Sequence, residues 1–130
     1  MLKYISIICS LLFSFGVSAQ VQNPIKWDTK VEMSSSVDGE ILFTLSIDKG
    51  WHLYGLNLPD GGPKATSITF DKVDGVEYVG TLEPSREPIS KFDNIFELNL
   101  NWWDSNIEFK QKFKLSSPDK CYKLQGRIEY

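Results

Sequence analysis

From Ile25 onward apolar and polar residues alternate, and a period of two marks strands that lay one face on a core. Helical periodicity is absent from the same stretch. The alternation predicts strands over Ile25 to Met33, Glu40 to Asp48, Trp51 to Leu58, Thr66 to Lys72, Val76 to Leu82, Ile95 to Trp103, Ile107 to Leu115 and Cys121 to Tyr130. Short strands at this spacing argue for an all-β chain folded as an immunoglobulin-like antiparallel β-sandwich.

The same alternation assigns faces. Ile41, Phe43, Leu45 and Ile47 point inward together, as do Phe96, Leu98, Leu100 and Trp102, and again Ile107, Phe109, Phe113 and Leu115. These twelve side chains are the expected core. Trp103, next to Trp102, is then expected to face outward. Asp38-Gly39 and Asp74-Gly75 have the chemistry of tight hairpin turns, and Asp104-Ser105-Asn106 closes another. The longest irregular stretch is expected over Glu83 to Asp93, where Pro84 and Pro88 remove backbone donors and Arg86, Glu87, Lys91 and Asp93 keep the segment in water. A loop of that length in a small domain is either a functional element or a plain connection between sheets.

Composition refines this picture at the two ends of the chain. Met1 to Ala19 carries one charge at Lys3, an apolar run from Tyr4 to Phe15 and small residues at Val17-Ser18-Ala19, the pattern of a secretory signal cleaved near Ala19, before Gln20. Residues 20–130 are then one domain in the periplasm or outside the cell, without a membrane span. Cys9 leaves with the signal, so Cys121 remains as a single thiol unable to form an internal disulfide. The burial preference of cysteine favours an inert, buried thiol, and an intermolecular disulfide is the other reading. At the far end, apolar Ile128 and Tyr130 in a terminal strand suggest a sheet that continues past Tyr130, because an uncovered strand edge invites association.

The chemistry on offer is sparse. A formal net charge of −3 without a basic stripe gives no support for a nucleic-acid partner. One histidine and one mature cysteine fall short of the three or four ligands of a zinc site, and the aspartates lack calcium-loop spacing, so neither a metal nor another cofactor is expected. No Gly-x-Ser-x-Gly elbow surrounds any serine, which argues against a hydrolase. His52 and Tyr54, two apart in a predicted strand, share a face. An imidazole there either tunes a nearby thiol or simply packs among aromatics. Trp51, on the other face, and Trp103 are candidates for a surface that holds a protein or a glycan.

The segments Pro24-Ile25-Lys26-Trp27, Asp48-Lys49-Gly50-Trp51-His52-Leu53-Tyr54, Asn57-Leu58-Pro59-Asp60-Gly61-Gly62-Pro63 and Gly126-Arg127-Ile128-Glu129-Tyr130 together resemble the N-terminal domain of DsbD-type thiol:disulfide interchange proteins, in its short single-domain form. The resemblance implies an immunoglobulin-like periplasmic domain that takes electrons from a membrane-embedded thiol-transfer domain and passes them to oxidised periplasmic disulfide proteins. It also implies that a redox-active cysteine pair follows the strand matching Gly126 to Tyr130. The chain ends at Tyr130, and Cys121 precedes the matching position, so the chain alone is expected to be redox-inactive and to hold no catalytic residue of its own. His52 and Tyr54 fall where the family lines its cysteine site. The stretch Glu83 to Asp93, with Glu83, Arg86, Glu87, Phe92 and Asp93, falls where it has a capping loop, Phe92 being the expected capping aromatic. The rival reading is a redox-silent binding module that uses a sheet edge or the Trp51 and Trp103 surfaces.

Overall fold

The computed structural model describes residues 23–130, so the expected secretory signal and Cys9 lie outside the described residues. The described chain is all strand. Nine strands run in order: β1 (Ile25–Met33), β2 (Asp38–Ile47), β3 (Leu53–Tyr54), β4 (Ser67–Phe70), β5 (Val76–Pro84), β6 (Ile89–Asp93), β7 (Leu98–Trp103), β8 (Ile107–Leu115) and β9 (Gly126–Glu129). Every pairing is antiparallel.

One layer of the sandwich is the sheet β1-β2-β8-β5. The other comprises the sheet β3-β7-β6 and the pair β4-β9. Thr66 joins these last two: its amide donates to the Gly55 carbonyl and its hydroxyl donates to the Tyr54 carbonyl at 2.6 Å, which seats the start of β4 beside the end of β3. Thr66 is 1% exposed, so both of its polar groups are satisfied where water is excluded.

The core lies between the layers. Ile41, Phe43, Leu45 and Ile47 from β2 meet Ile107, Phe109 and Phe113 from β8, with Ile25, Leu53 and Trp103 completing the cluster. Ile68, Phe70, Leu124 and Ile128 close it from the β4–β9 side. Burial on this scale is the main stabilising term, at roughly 25 cal/mol per Å² of apolar surface removed from water. Gln111 takes the one inward position of β8 that is not apolar. Its amide donates to the carbonyls of Val79 and Lys112 at 3.2 and 3.0 Å, where the β5–β8 register shifts between Val79 and Glu83. The bulge therefore frees acceptors, and Gln111 satisfies them.

Several expectations are corrected. Trp103 faces inward and is 2% exposed, packing edge-on against Phe109 at 5.2 Å while its indole nitrogen donates to the Arg86 carbonyl. Trp102, Leu98 and Leu100 lie on the opposite face of β7, where Leu100 is buried at 2% exposure, as expected, and Trp102 and Leu98 are half-buried. Leu98 and Leu100 sit under Gly62 of the β3–β4 connection, whereas Phe96 is exposed in the turn before β7. Leu115 is half-buried at the margin of the core. The Glu83 to Asp93 stretch is mostly strand: Glu83 and Pro84 end β5, and Ile89–Asp93 is β6. Trp51 precedes the two-residue β3 and is exposed beside a turn in which its amide donates to the Asp48 carbonyl.

The turns differ as well. Asp38 opens β2, its carbonyl closing a turn by accepting from the amides of Ser34 and Ser35. Gly75, at φ 81°, supplies the positive angle expected of Asp74-Gly75, but the turn leads from one layer to the other and makes no hairpin. Asp104 to Asn106 likewise carries the chain between layers, from β7 to β8.

Candidate functional site

β3 is short, but its register fixes the orientation of everything around it. Leu53 pairs with Trp103 and both are buried; Tyr54 pairs with Trp102 and both look outward. His52 stands on the Tyr54 side, its ring 4.8 Å from the Tyr54 ring in an edge arrangement and 6.1 Å from that of Trp102. The parity expected for His52 and Tyr54 holds, and Trp102, expected in the core, is the third member of their cluster.

Next to this cluster the β6–β7 hairpin forms a wall. Ile89 pairs with Trp102, and a hollow of about 350 Å³ is lined by Lys91, Phe92, Asp93, Asn94, Ile95 and Trp102. The tip is held by Asp93, whose carboxylate accepts from the amides of Ile95 and Phe96 at 2.8 and 2.9 Å. Glu97 then turns the chain back at φ 56°, a left-handed angle that costs a non-glycine residue about 1 kcal/mol. The result presents Phe92, Ile95 and Phe96 at 52, 88 and 42% exposure. Apolar side chains grouped on a tethered tip are unlike scattered surface hydrophobics and make this tip a candidate interaction surface.

The remaining candidates divide. Phe92 and Asp93 belong to the hollow. Arg86 instead binds the β7–β8 connection: its guanidinium donates to the Ser105 carbonyl and hydroxyl at 2.7 and 2.8 Å and to the Asn106 carbonyl. Glu83 and Glu87 are exposed and line no part of the hollow. Trp51 is exposed, and Trp103, being buried, offers no binding surface. Cys121 is exposed in the segment between β8 and β9, contrary to the burial expected of a free thiol, and lines neither this hollow nor the cleft between β1 and β9.

Chemically, the cluster offers one titratable imidazole, a phenol and an indole beside an apolar wall. That combination suits recognition of a protein segment and proton exchange with a group brought to His52. Among the described residues no group of three or more His, Cys, Asp or Glu side chains is placed to hold a metal ion, and no helix is long and apolar enough to cross a membrane. Sequence reasoning missed Ile95, expected to begin a strand, and Trp102, expected in an inward row. The turn residues Asp93-Asn94 ahead of Ile95 were the available signal. Comparisons with protein-family models, curated proteins and solved structures found no match.

Proposed function

We propose that this β-sandwich is an extracytoplasmic electron-transfer module of the DsbD N-terminal type, in which the His52, Tyr54 and Trp102 cluster and the β6–β7 hairpin frame the place where a dithiol works. In that chemistry a thiolate attacks a partner's disulfide and a second thiol resolves the mixed disulfide. The module's dithiol is oxidised to a disulfide as the partner's disulfide is reduced to two thiols. With Cys121 as the one thiol among the described residues, the described domain supplies the scaffold and the pair comes from residues that follow β9.

The observation that supports this reading is the direction of β9. Glu129 pairs with Ser67, one residue from Thr66, and Thr66 is bonded to the Tyr54 carbonyl. Residues following Tyr130 in line with β9 would therefore emerge at the end of that layer where Thr66 meets the Tyr54 backbone. In this reading His52, in contact with Tyr54, is the proton acceptor for a thiol that loops back to it, and Phe92 and Ile95 form an apolar cover. The partners in this reading are a membrane thiol-transfer domain and oxidised periplasmic proteins.

The test is the intact mass and thiol count of the protein as its own cell secretes it, before and after reduction. A product longer than Tyr130 that gains two thiols on reduction supports the reading. A product ending at Tyr130 with a single thiol throughout refutes it. A second reading, a redox-silent module that binds a protein through the same hairpin, is favoured by the exposure of Ile95. It predicts partner affinity that falls on Ile95→Ser and is indifferent to reductant.

A further inference from the structure

β1 is an edge strand, and its register with β2 shows which of its backbone groups are free. The ladder runs without a slip from Ile25↔Ile47 to Met33↔Gly39. It is bracketed by backbone hydrogen bonds in which Asp48 donates to Pro24 and Ser34 donates to Asp38. Even-numbered positions of β1 therefore turn their N–H and C=O groups toward β2, and odd-numbered positions turn theirs outward. Ile25, Trp27, Thr29, Val31 and Met33 thus present backbone groups that no described residue pairs, along the outer edge of the sheet.

The side chains of this strand follow a second rule. Lys26, Asp28, Lys30 and Glu32 alternate in sign along the solvent face, while Ile25, Trp27, Thr29, Val31 and Met33 form the inner row. Val31 and Met33 are 51 and 47% exposed among the described residues. If a second β1 runs antiparallel across a two-fold axis at Thr29, position 26 faces 32 and position 28 faces 30. Lys26 then meets Glu32 and Asp28 meets Lys30, each twice. On the inner row exposed Met33 meets Ile25 and exposed Val31 meets Trp27. The charged pairs fall at the closely spaced, non-hydrogen-bonded sites, where cross-strand pairing is strongest. Sliding the register by two residues either way sets Asp28 against Asp28 or Lys30 against Lys30. Of these three registers, only the one centred on Thr29 satisfies the backbone, the charges and the apolar row together, and it forms the most complementary pairs.

We infer that β1 is a self-recognition edge through which two copies of this chain join their four-stranded sheets into one continuous eight-stranded sheet. The interface is isologous, as a two-fold dimer requires. It depends on charge sequence and not on Cys121, and in forming it Lys30 and Glu32, which pair with each other at 2.9 Å within one chain, exchange partners across the axis.

The test is sedimentation equilibrium of the purified protein over a concentration series, in reductant so that no Cys121 disulfide contributes. Thr29→Pro removes an outward N–H at the axis and no bond to β2, so the fold survives while the dimer is lost. The acidic variant Lys26→Glu/Lys30→Glu and the basic variant Asp28→Lys/Glu32→Lys each set like charges opposite one another and weaken self-association at least about tenfold. Mixed in equal amounts they regain a dimer, and thermal unfolding confirms that all three variants are folded. A wild-type protein that stays monomeric up to about 1 mM, or an acidic and basic mixture that associates no better than either variant alone, overturns the inference.

Discussion

Replacing Trp103 by alanine tests the orientation of β7, on which the placement of the whole candidate site depends. The indole is 2% exposed, and it packs edge-on against Phe109, itself fully buried. Truncating a buried Trp costs about 3–5 kcal/mol through lost transfer energy and the cavity left behind. The Arg86 carbonyl also loses its donor, and the aromatic pair with Phe109 is gone, each adding on the order of 1 kcal/mol. The upper part of that range is therefore expected, about 4–5 kcal/mol, against a total stability of about 5–15 kcal/mol for a domain of this kind. In urea unfolding the midpoint falls steeply with little change in slope, and the melting temperature drops by roughly 15–30 °C. Trp103→Phe keeps the aromatic contact and loses far less. Trp51→Ala, at an exposed position, changes stability by no more than about 0.5 kcal/mol. A Trp103→Ala protein within about 1 kcal/mol of wild type would refute the inward orientation, and with it the assignment of Tyr54 and Trp102 to the outer face.

Tyr78 is half-buried with its hydroxyl enclosed and unpartnered, so Tyr78→Phe is expected to be neutral or to stabilise by about 1 kcal/mol in the same unfolding assay. Burial, with a smaller contribution from the Asp71 charge, raises its pKa above the ordinary 10.0. The folded state then holds the phenolic proton more tightly than the unfolded chain, and stability declines as pH rises past about 10; a Tyr78→Phe protein should decline less steeply, and equal slopes would contradict this. Gly126→Ala places a methyl group against the Thr69 carbonyl at the start of β9, so loss of the β4–β9 pairing is expected, read as faster amide exchange at Thr69 and Asp71. Asp93→Ala removes the acceptor for two amides at the hairpin tip. It should loosen the 93–97 turn, with a loss of stability of about 1 kcal/mol or less because the site is exposed, and Asp93→Asn should restore much of it.

How much of this was legible in the sequence depended on whether a strand is apolar on one face or two. In β2, Thr44 and Ser46 alternate with buried Phe43, Leu45 and Ile47, and in β8 lysines alternate with Ile107, Phe109 and Phe113; polar partners fix the parity, and both faces were assigned correctly. β7 carries Leu98, Leu100 and Trp102 on one face and Trp103 on the other. Its alternation is clear, but the apolar row it marks is covered by the β3–β4 connection at Gly62 and not by the facing sheet. Only the pairing of Trp103 with Leu53, a contact between residues distant in sequence, decides which face meets the core. β6 was hidden for a different reason: a short edge strand following Pro88, with Ser90 and Lys91 inside it, has the composition of a loop and gains its structure from β7. At the site, the shared face of His52 and Tyr54 followed from parity alone. Trp102 did not, because the misassigned parity of β7 placed it in the core.

The two surfaces inferred for this domain occupy opposite flanks of the sandwich, and that arrangement has a mechanical consequence. The β1 edge lies beside β9, where Tyr130 packs against Trp27 at 5.5 Å and a cleft of about 230 Å³ opens between the layers. The hollow lies on the outer face of the other layer, beyond β7. The segment leading into its β6–β7 hairpin is tied to the β7–β8 connection through Arg86 and to β8 through the bond from the Ser85 amide to the Glu108 carbonyl. Two chains joined through β1 therefore leave both hairpins free and directed away from the axis. A dimer of this form engages two partner segments at once, so avidity follows from the sheet edge while specificity resides in the hairpin. Monovalent affinity at the hairpin should be the same for Thr29→Pro as for wild type, while binding to a surface dense in partner should weaken for Thr29→Pro alone. Were monovalent affinity to fall with loss of the dimer, the hairpin and the β1 edge would share one site, and the separation of the two flanks would be wrong.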